Sequence, residues 1–172
     1  MTPSDGWRFW LGQILMIVST VLGVYLAAVV GFEKAVQFDA LTSKRDVYYM
    51  LQALQDEMQD NMATMDILVS KVDKLHVPTL VEYYKPQTYI WETMKRSPNT
   101  FSIPSSIITG VRRYHADVAV QTRDLLKANI TRGQFKQRIS DLNKKLRKHV
   151  LNRITLEMDN IRTELSVVNM PI

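Results

Sequence analysis

A run of 24 residues without a charged side chain, from Phe9 to Phe32, is the feature of this 172-residue chain that most restricts its fold. Eighteen of the 24 residues are apolar or aromatic. As a helix that rises about 1.5 Å per residue, the run is roughly 36 Å long, enough to cross a hydrocarbon core of about 30 Å. The sequence therefore predicts a transmembrane helix, with residues 1–32 as an N-terminal tail and membrane anchor.

A cleavable signal peptide is the competing interpretation of this run. Its apolar region is usually about 7 to 15 residues long, follows a clear positive charge and precedes an A-x-A-like cleavage site. The run here is longer and Arg8 is the one basic side chain before it, although Ala27 and Ala28 keep the alternative open. We expect an uncleaved anchor.

The segments on either side of the span indicate the orientation of the anchor in the membrane. A short tail before one span is typical of a signal anchor with a periplasmic or extracellular C-terminal part. The basic residues near the span, Arg8 before it and Lys34, Lys44 and Arg45 after it, favour a cytoplasmic C-terminal part instead. We expect the first orientation because long polar domains cross the membrane largely regardless of their charge.

Three small residues, Ser19, Gly23 and Ala27, recur at intervals of four inside the predicted span and share one helical face. Small residues at this spacing let two membrane helices approach closely. This face is a candidate surface for packing against another membrane helix. The alternative is that the span only anchors the chain in lipid.

Helical periodicity dominates residues 33–172, which carry 37 of the 39 charged residues. Apolar residues recur there at spacings of three and four, as in the seam of a coiled coil or of a tightly packed helix. The first seam is formed by Val47, Leu51, Leu54, Met58, Asn61, Met65, Leu68, Val72 and Leu75. Either its polar member Asn61 fixes register or partner choice, or the buried stripe shifts to Met62. We expect this helix over 33–76, ended by Pro78.

Residues 77–103 form a connector rich in proline and aromatic residues. A short helix from about Thr88 to Lys95 fits between the prolines. The side chains of Tyr83, Tyr84, Tyr89 and Trp91 are candidates for contact with a partner or a ligand, since binding surfaces are often carried on loops held by a rigid scaffold. The alternative is that they close the end of the packed helices and are mostly buried.

Two further long helices are predicted, over 104–129 and 131–168, with Ser102 and Thr131 as candidate N-caps. The seam of the first contains Ile108, Val111, His115, Val118, Thr122 and Leu125. The seam of the last contains Phe135, Ile139, Leu142, Leu146, Val150, Ile154, Met158, Ile161, Leu165 and Val168. Its steps of four from Leu146 to Met158 depart from a heptad and predict a local change of supercoil.

These elements predict an all-α protein. Its N-terminal transmembrane helix is expected to continue into an antiparallel helical bundle or coiled coil of three long helices plus a short one.

Charge is distributed unequally among the predicted helices. From Glu33 to His76 there are five basic and eight acidic residues, a net of −3, whereas from Arg132 to Arg153 there are eight basic residues against Asp141 alone, a net of +7. Pairing of the acidic first helix with the basic last helix, within one chain or between subunits, is the favoured explanation. The second explanation is contact with anionic lipid through Lys144, Lys145, Arg147 and Lys148. Contact of these residues with nucleic acid is disfavoured.

Residue types that support catalysis are sparse in the sequence. The absence of cysteine excludes a thiol nucleophile and every cysteine-ligated metal site. The three histidines fall on different predicted elements without a metal-ligand spacing, and the six glycines form no phosphate-binding loop. For His115, a packing role is favoured over a metal ligand. We expect no enzymatic activity, no metal and no cofactor, and we identify no small-molecule substrate.

The uncharged span followed by Tyr48, Tyr49, Leu51, Leu54, Glu57 and Asn61 resembles a group of uncharacterised bacterial single-span membrane proteins over residues 9–75. The resemblance implies a location in the bacterial inner membrane and a single-pass layout, and no activity. The topology is also similar to the helical sensing modules of bacterial receptors. Residues 1–172 contain no pattern for the second span or the cytoplasmic output domain of those modules, so we do not expect autonomous signalling.

The expected function is that of a membrane-anchored scaffold, accessory subunit or assembly factor in a larger envelope complex. Its expected partners are membrane lipid together with other membrane-protein subunits or a second copy of the chain. A ligand-sensing module and an anionic-lipid-binding module are the alternatives.

Overall fold

The computed structural model describes residues 3–168 and 170–171, and the chain is 86% helical with no strand in these ranges. The predicted all-helical class is therefore confirmed. The helices are α1 Pro3–Lys71, α2 Val77–Tyr83, α3 Tyr89–Met94, α4 Ser105–Leu126, α5 Arg132–Leu146 and α6 Asn152–Val167, with a 3₁₀ turn at Pro98–Ser102 and a π-helical turn at Arg147–Leu151. The chain divides into two compact units, Met1–Thr42 and Ser43–Ile172.

The first unit consists of the N-terminal part of α1. Among the described residues, α1 is the one helix long and apolar enough to cross a membrane, and its apolar window has none of its residues buried. The large apolar side chains from Phe9 to Phe32 are exposed. A Cβ atom added at Gly12, Gly23 or Gly31 would meet nothing within 4 Å.

The second unit contains the core. From Val47 to Val72, every apolar member of the predicted first seam is buried, whereas Leu75 is exposed. Asn61 and Met62 are both buried, so the buried stripe of α1 contains both positions. The helix ends at Lys71, earlier than the predicted His76, because the amides of Lys74 and Leu75 both donate to the Lys71 carbonyl and close a turn.

The connector contains more helix than the sequence indicates. Its short helix α3 lies within the predicted Thr88 to Lys95. Helix α2 places Pro78 in its first turn, where the missing amide proton of proline costs nothing. The proline that stops α1 in the sequence interpretation thus starts the next helix.

Helices α4 and α5 are joined by a tight turn. Ala128 adopts a positive φ of 57°, and the amides of Ala128 and Asn129 donate to the carbonyls of Leu125 and Asp124. These two bonds form a Schellman motif, which satisfies the carbonyls at the end of α4. Thr131 then begins α5 with a capping box shared with Gln134, which confirms the predicted cap. The other candidate cap, Ser102, lies in the 3₁₀ turn, and Pro104 occupies the N-cap position of α4.

The last predicted helix is present as α5, the π-helical turn and α6 without a break. The π-helical turn falls inside the stretch where the steps of four depart from a heptad. There the last helix approaches α4 closely: a Cβ atom added at Gly110 would lie 2.5 Å from the Cγ2 atom of Val150. A side chain at position 110 would therefore displace the Val150 side chain.

Candidate functional site

Two polar side chains one turn apart on α1 fasten the connector to the helix. The side-chain nitrogen of Asn61 donates to the backbone carbonyl of Gln87 at 2.7 Å, and the side-chain oxygen of Asn61 accepts from the backbone amide of Gln87 at 2.6 Å. The Glu57 carboxylate accepts from the amides of Ile90 and Trp91 at 2.6 and 3.2 Å. Glu57 therefore caps the N-terminus of α3, whose own N-cap Thr88 makes no side-chain cap bond.

Trp91 is the aromatic residue that this attachment buries. Its side chain is only 7% exposed and stacks on the imidazole of His115 from α4, with ring centroids 6.3 Å apart and an interplanar angle of 29°. The His115 Nε2 atom is buried without a hydrogen-bond partner among the described residues. Burial lowers the pKa of His115 below its ordinary value; Glu92 opposes this shift and Lys95 adds to it.

The three tyrosines of the connector have different environments. Tyr83 and Tyr89 are 80% and 77% exposed. Tyr84 is half-buried, and its hydroxyl accepts a hydrogen bond of 2.5 Å from the Lys71 ammonium group. Of the four predicted contact residues, Tyr83 and Tyr89 are thus open to solvent, while Tyr84 and Trp91 take part in the packing of the second unit.

The four predicted basic contact residues lie at the junction of α5 and the π-helical turn. Lys144, Lys145, Arg147 and Lys148 are all exposed, and none of them forms an ion pair with a described residue. We call these four residues the basic patch. Of the charge pairing expected between the acidic first helix and the basic last helix, the described residues show one ion pair, between Lys136 of α5 and Asp73 in the turn after α1. A second ion pair, between Lys44 of α1 and Glu164 of α6, has the opposite sense.

A buried polar network lies beside the basic patch. The Tyr114 hydroxyl donates to the Asn143 side-chain oxygen at 2.9 Å, and the Asn143 amide donates to the Asp66 carboxylate at 2.8 Å and to the Met62 carbonyl at 3.2 Å. Burial, together with the negative charge of Asp66, raises the pKa of Tyr114, so its hydroxyl remains a donor. The network fixes the positions of α1, α4 and α5 relative to one another beside the four cations.

Ser19, Gly23 and Ala27 lie in the first unit, and all three are exposed. No group of three or more histidine or acidic side chains in the described ranges is arranged to hold a metal ion.

Sequence reasoning missed the roles of Glu57, Asn143 and Tyr114. Glu57 and Asn143 belong, with Asn61, to the three polar side chains that are buried in the described part of the chain. The polarity of Asn61 inside an apolar seam was the one available signal, because Glu57 and Asn143 lie beside their seams and resemble solvated positions.

No family model, no curated protein and no solved structure matches this chain.

Proposed function

We propose that this protein is a single-pass membrane protein in which residues 43–172 form an antiparallel helical bundle that serves as a scaffold, accessory subunit or assembly factor for a membrane complex. The observation that carries the proposal is the 24-residue uncharged run from Phe9 to Phe32, whose large apolar side chains are exposed. Contiguous apolar surface of this size requires an apolar environment. A bilayer supplies one because a helix satisfies all its backbone hydrogen bonds internally.

The bundle arrangement is supported by contacts between α1 and the last helix. Tyr48 bonds to Arg162, Gln55 to Thr155, and the Met62 carbonyl to Asn143. As the residue number rises along α1, the number of its partner falls. Helices that pack side by side and run in opposite directions produce this order of contacts.

The scaffold role is supported by the basic patch. Four cations without an ion pair among the described residues stand beside the buried Asn143 network, so the surface that presents them is fixed in place. Positive surface groups of this kind steer association with acidic partners. We assign the patch as the contact for an acidic segment of a neighbouring subunit, with the C-terminal part on the periplasmic side of a bacterial inner membrane.

Crosslinking of the full chain in native membranes tests this role. The charge-reversed variant carries Lys144→Glu, Lys145→Glu, Arg147→Glu and Lys148→Glu. The matched control carries four reversals at exposed basic residues elsewhere: Lys74→Glu, Arg96→Glu, Arg112→Glu and Lys127→Glu. We expect a discrete crosslinked species in the wild type and the control, and its loss in the patch variant. A wild type without a crosslinked partner, or a partner retained by the patch variant, would count against the scaffold.

Anionic lipid is the second candidate partner because the same four cations also suit lipid phosphates. Amide exchange of the full chain in nanodiscs separates the two candidates. Protection of residues 140–152 that requires anionic phospholipid, and that disappears in the patch variant, would assign the patch to lipid. Equal exchange in zwitterionic and anionic nanodiscs would eliminate lipid contact.

A further inference from the structure

A groove separates the connector from α4 within the second unit. Its volume is about 490 Å³, in the range of small-molecule sites. Most of its wall is apolar, from Val81 and Pro86 on the connector side and from Val118, Ala119 and Leu126 on α4. The groove is distinct from the basic patch, which lies at the junction of α5 and the π-helical turn.

The groove runs along one face of α4. The α4 residues that line it extend from His115 to Leu126, which at about 1.5 Å per residue corresponds to roughly 16 Å along the helix axis. The residues on this wall recur at spacings of three and four, so they form a continuous strip on one helical face. An extended alkyl chain matches this shape better than a compact ring does.

The charged residues that line the groove are both positive. They are Lys85 and Arg123, and no acidic residue belongs to the lining. Lys85 forms an ion pair with Glu82 at the surface, whereas Arg123 forms no ion pair with a described residue. The groove thus complements a molecule with a long apolar body and a negative head.

His115 supplies a polar group inside this apolar wall. Its Nε2 atom is buried and has no hydrogen-bond partner among the described residues. Trp91 stacks on the ring and holds its orientation.

We propose that this groove is a binding site for a single-chain amphipathic carboxylate of the fatty-acid class. The alkyl chain lies along the strip from Val118 to Leu126, and Arg123 and Lys85 attract the carboxylate. The proposal does not rest on the scaffold role, since the basic patch takes no part in it.

Photolabelling of the full chain in phosphatidylcholine nanodiscs tests the site. The probe is a diazirine derivative of dodecanoic acid, and the labelled residues are located by peptide mass spectrometry. Ala119→Trp fills the groove. Ala116→Trp places the same bulk on an exposed position of α4 outside the groove lining, and serves as the matched control. Thermal unfolding of both variants establishes that they are folded.

We expect label on residues 81–88 and 115–126, reduced roughly tenfold by Ala119→Trp and unchanged by Ala116→Trp. Label confined to residues 9–32, or label in the groove that Ala119→Trp leaves intact, would overturn the site.

The charge of the head group is tested in the same assay. Excess dodecanoate should displace the probe, whereas 1-dodecanol, which has the same chain without the charge, should not. The paired change Lys85→Gln with Arg123→Gln should weaken labelling, while Lys127→Gln with Arg112→Gln should leave it unchanged. Equal competition by the alcohol, or undiminished labelling of the Lys85 and Arg123 variant, would reject a carboxylate ligand.

Discussion

Residues 9–32 and residues 47–71 both belong to helix α1, but apolar side chains are exposed in the first stretch and buried in the second. In the first stretch Leu22 is 54% exposed, with exposed apolar neighbours on all sides of the helix. In the second, Leu54 is 0% exposed, and buried residues recur at every third or fourth position. The helix is the same, so secondary structure does not explain the difference.

The difference lies in the surroundings for which each stretch is suited. A helix that is apolar all round needs an apolar surrounding medium, whereas a helix with one apolar stripe needs neighbouring helices. The first stretch has no polar face to turn to water, and the second has one. Substitutions in the two stretches test whether the first is suited to lipid and the second to packing against other helices.

The largest effect is expected from charges placed inside the first stretch. Val18→Arg with Leu22→Arg should abolish stable membrane integration, because each arginine near the centre of a span costs about 3 kcal/mol. The measurement is the fraction of protein that remains in the membrane pellet after alkaline extraction. Gln52→Arg with Gln59→Arg, at exposed positions of the second stretch, should remain in the pellet. Equal retention of both variants would contradict a membrane span.

The next effect compares one truncation in the two stretches. Leu54→Ala should lower the free energy of unfolding of the second unit by about 2 to 5 kcal/mol, because it leaves a cavity in a packed core. Leu22→Ala should leave that free energy unchanged. Thermal unfolding of the full chain in nanodiscs, followed by circular dichroism, measures both. A similar loss for the two variants would show that the first stretch is also part of a packed core.

A smaller effect is expected where the second stretch holds the connector. Glu57→Gln should destabilise the connector by about 1 to 3 kcal/mol, since a carboxylate that accepts two amides is replaced by a neutral group with one acceptor oxygen. Hydrogen exchange of the amides of residues 87–94 should accelerate. Asp60→Asn, an exposed acidic position on the same helix, is the control and should exchange like the wild type. Unchanged exchange in the Glu57 variant would remove its capping role.

The smallest effect concerns pH. Burial lowers the pKa of His115 in the folded state, so between its folded and unfolded pKa values the unfolded state binds more protons. Stability should therefore fall as the pH drops below about 6.5, the ordinary value for histidine, and recover above it. In His115→Phe this dependence should be weaker than in the wild type, as measured by melting temperatures at about pH 7.5 and about pH 5.5.

An exposed histidine supplies the control for that measurement. His76→Gln should keep the pH dependence of the wild type, because the His76 side chain is exposed. If His115→Phe and the wild type lose stability in parallel on acidification, the pH dependence does not come from His115.

The sequence predicted those features that depend on local pattern. The apolar spacing from Val47 to Val72 identified the buried face of α1, and Thr131 followed by Gln134 marked the start of α5, since a cap needs only residues three apart. The all-helical class followed from the same periodicities. Each of these signals is contained within a few turns of chain.

The features that were missed depend on distant partners. A glutamate on the flank of a seam suggests solvation, and its capping of α3 becomes visible only when the connector folds back by 33 residues to present the Ile90 amide. The groove beside His115 is likewise formed by two segments that are far apart in sequence. Periodicity within one helix carries no information about either pairing.

The π-helical turn at Arg147–Leu151 keeps the core residues before and after it on the same face of the last helix. Its buried neighbours Ile139, Leu146, Ile154 and Ile161 follow one another at intervals of seven, eight and seven residues, so the chain contains one skip residue relative to a heptad. In a regular α-helix that residue would rotate everything after it by about 100°, and the wider turn absorbs the rotation. Removal of one residue there should therefore restore a regular α-helical turn and keep the core face of α6 buried, whereas one further residue, with no wider turn to absorb it, should rotate that face by about 100°.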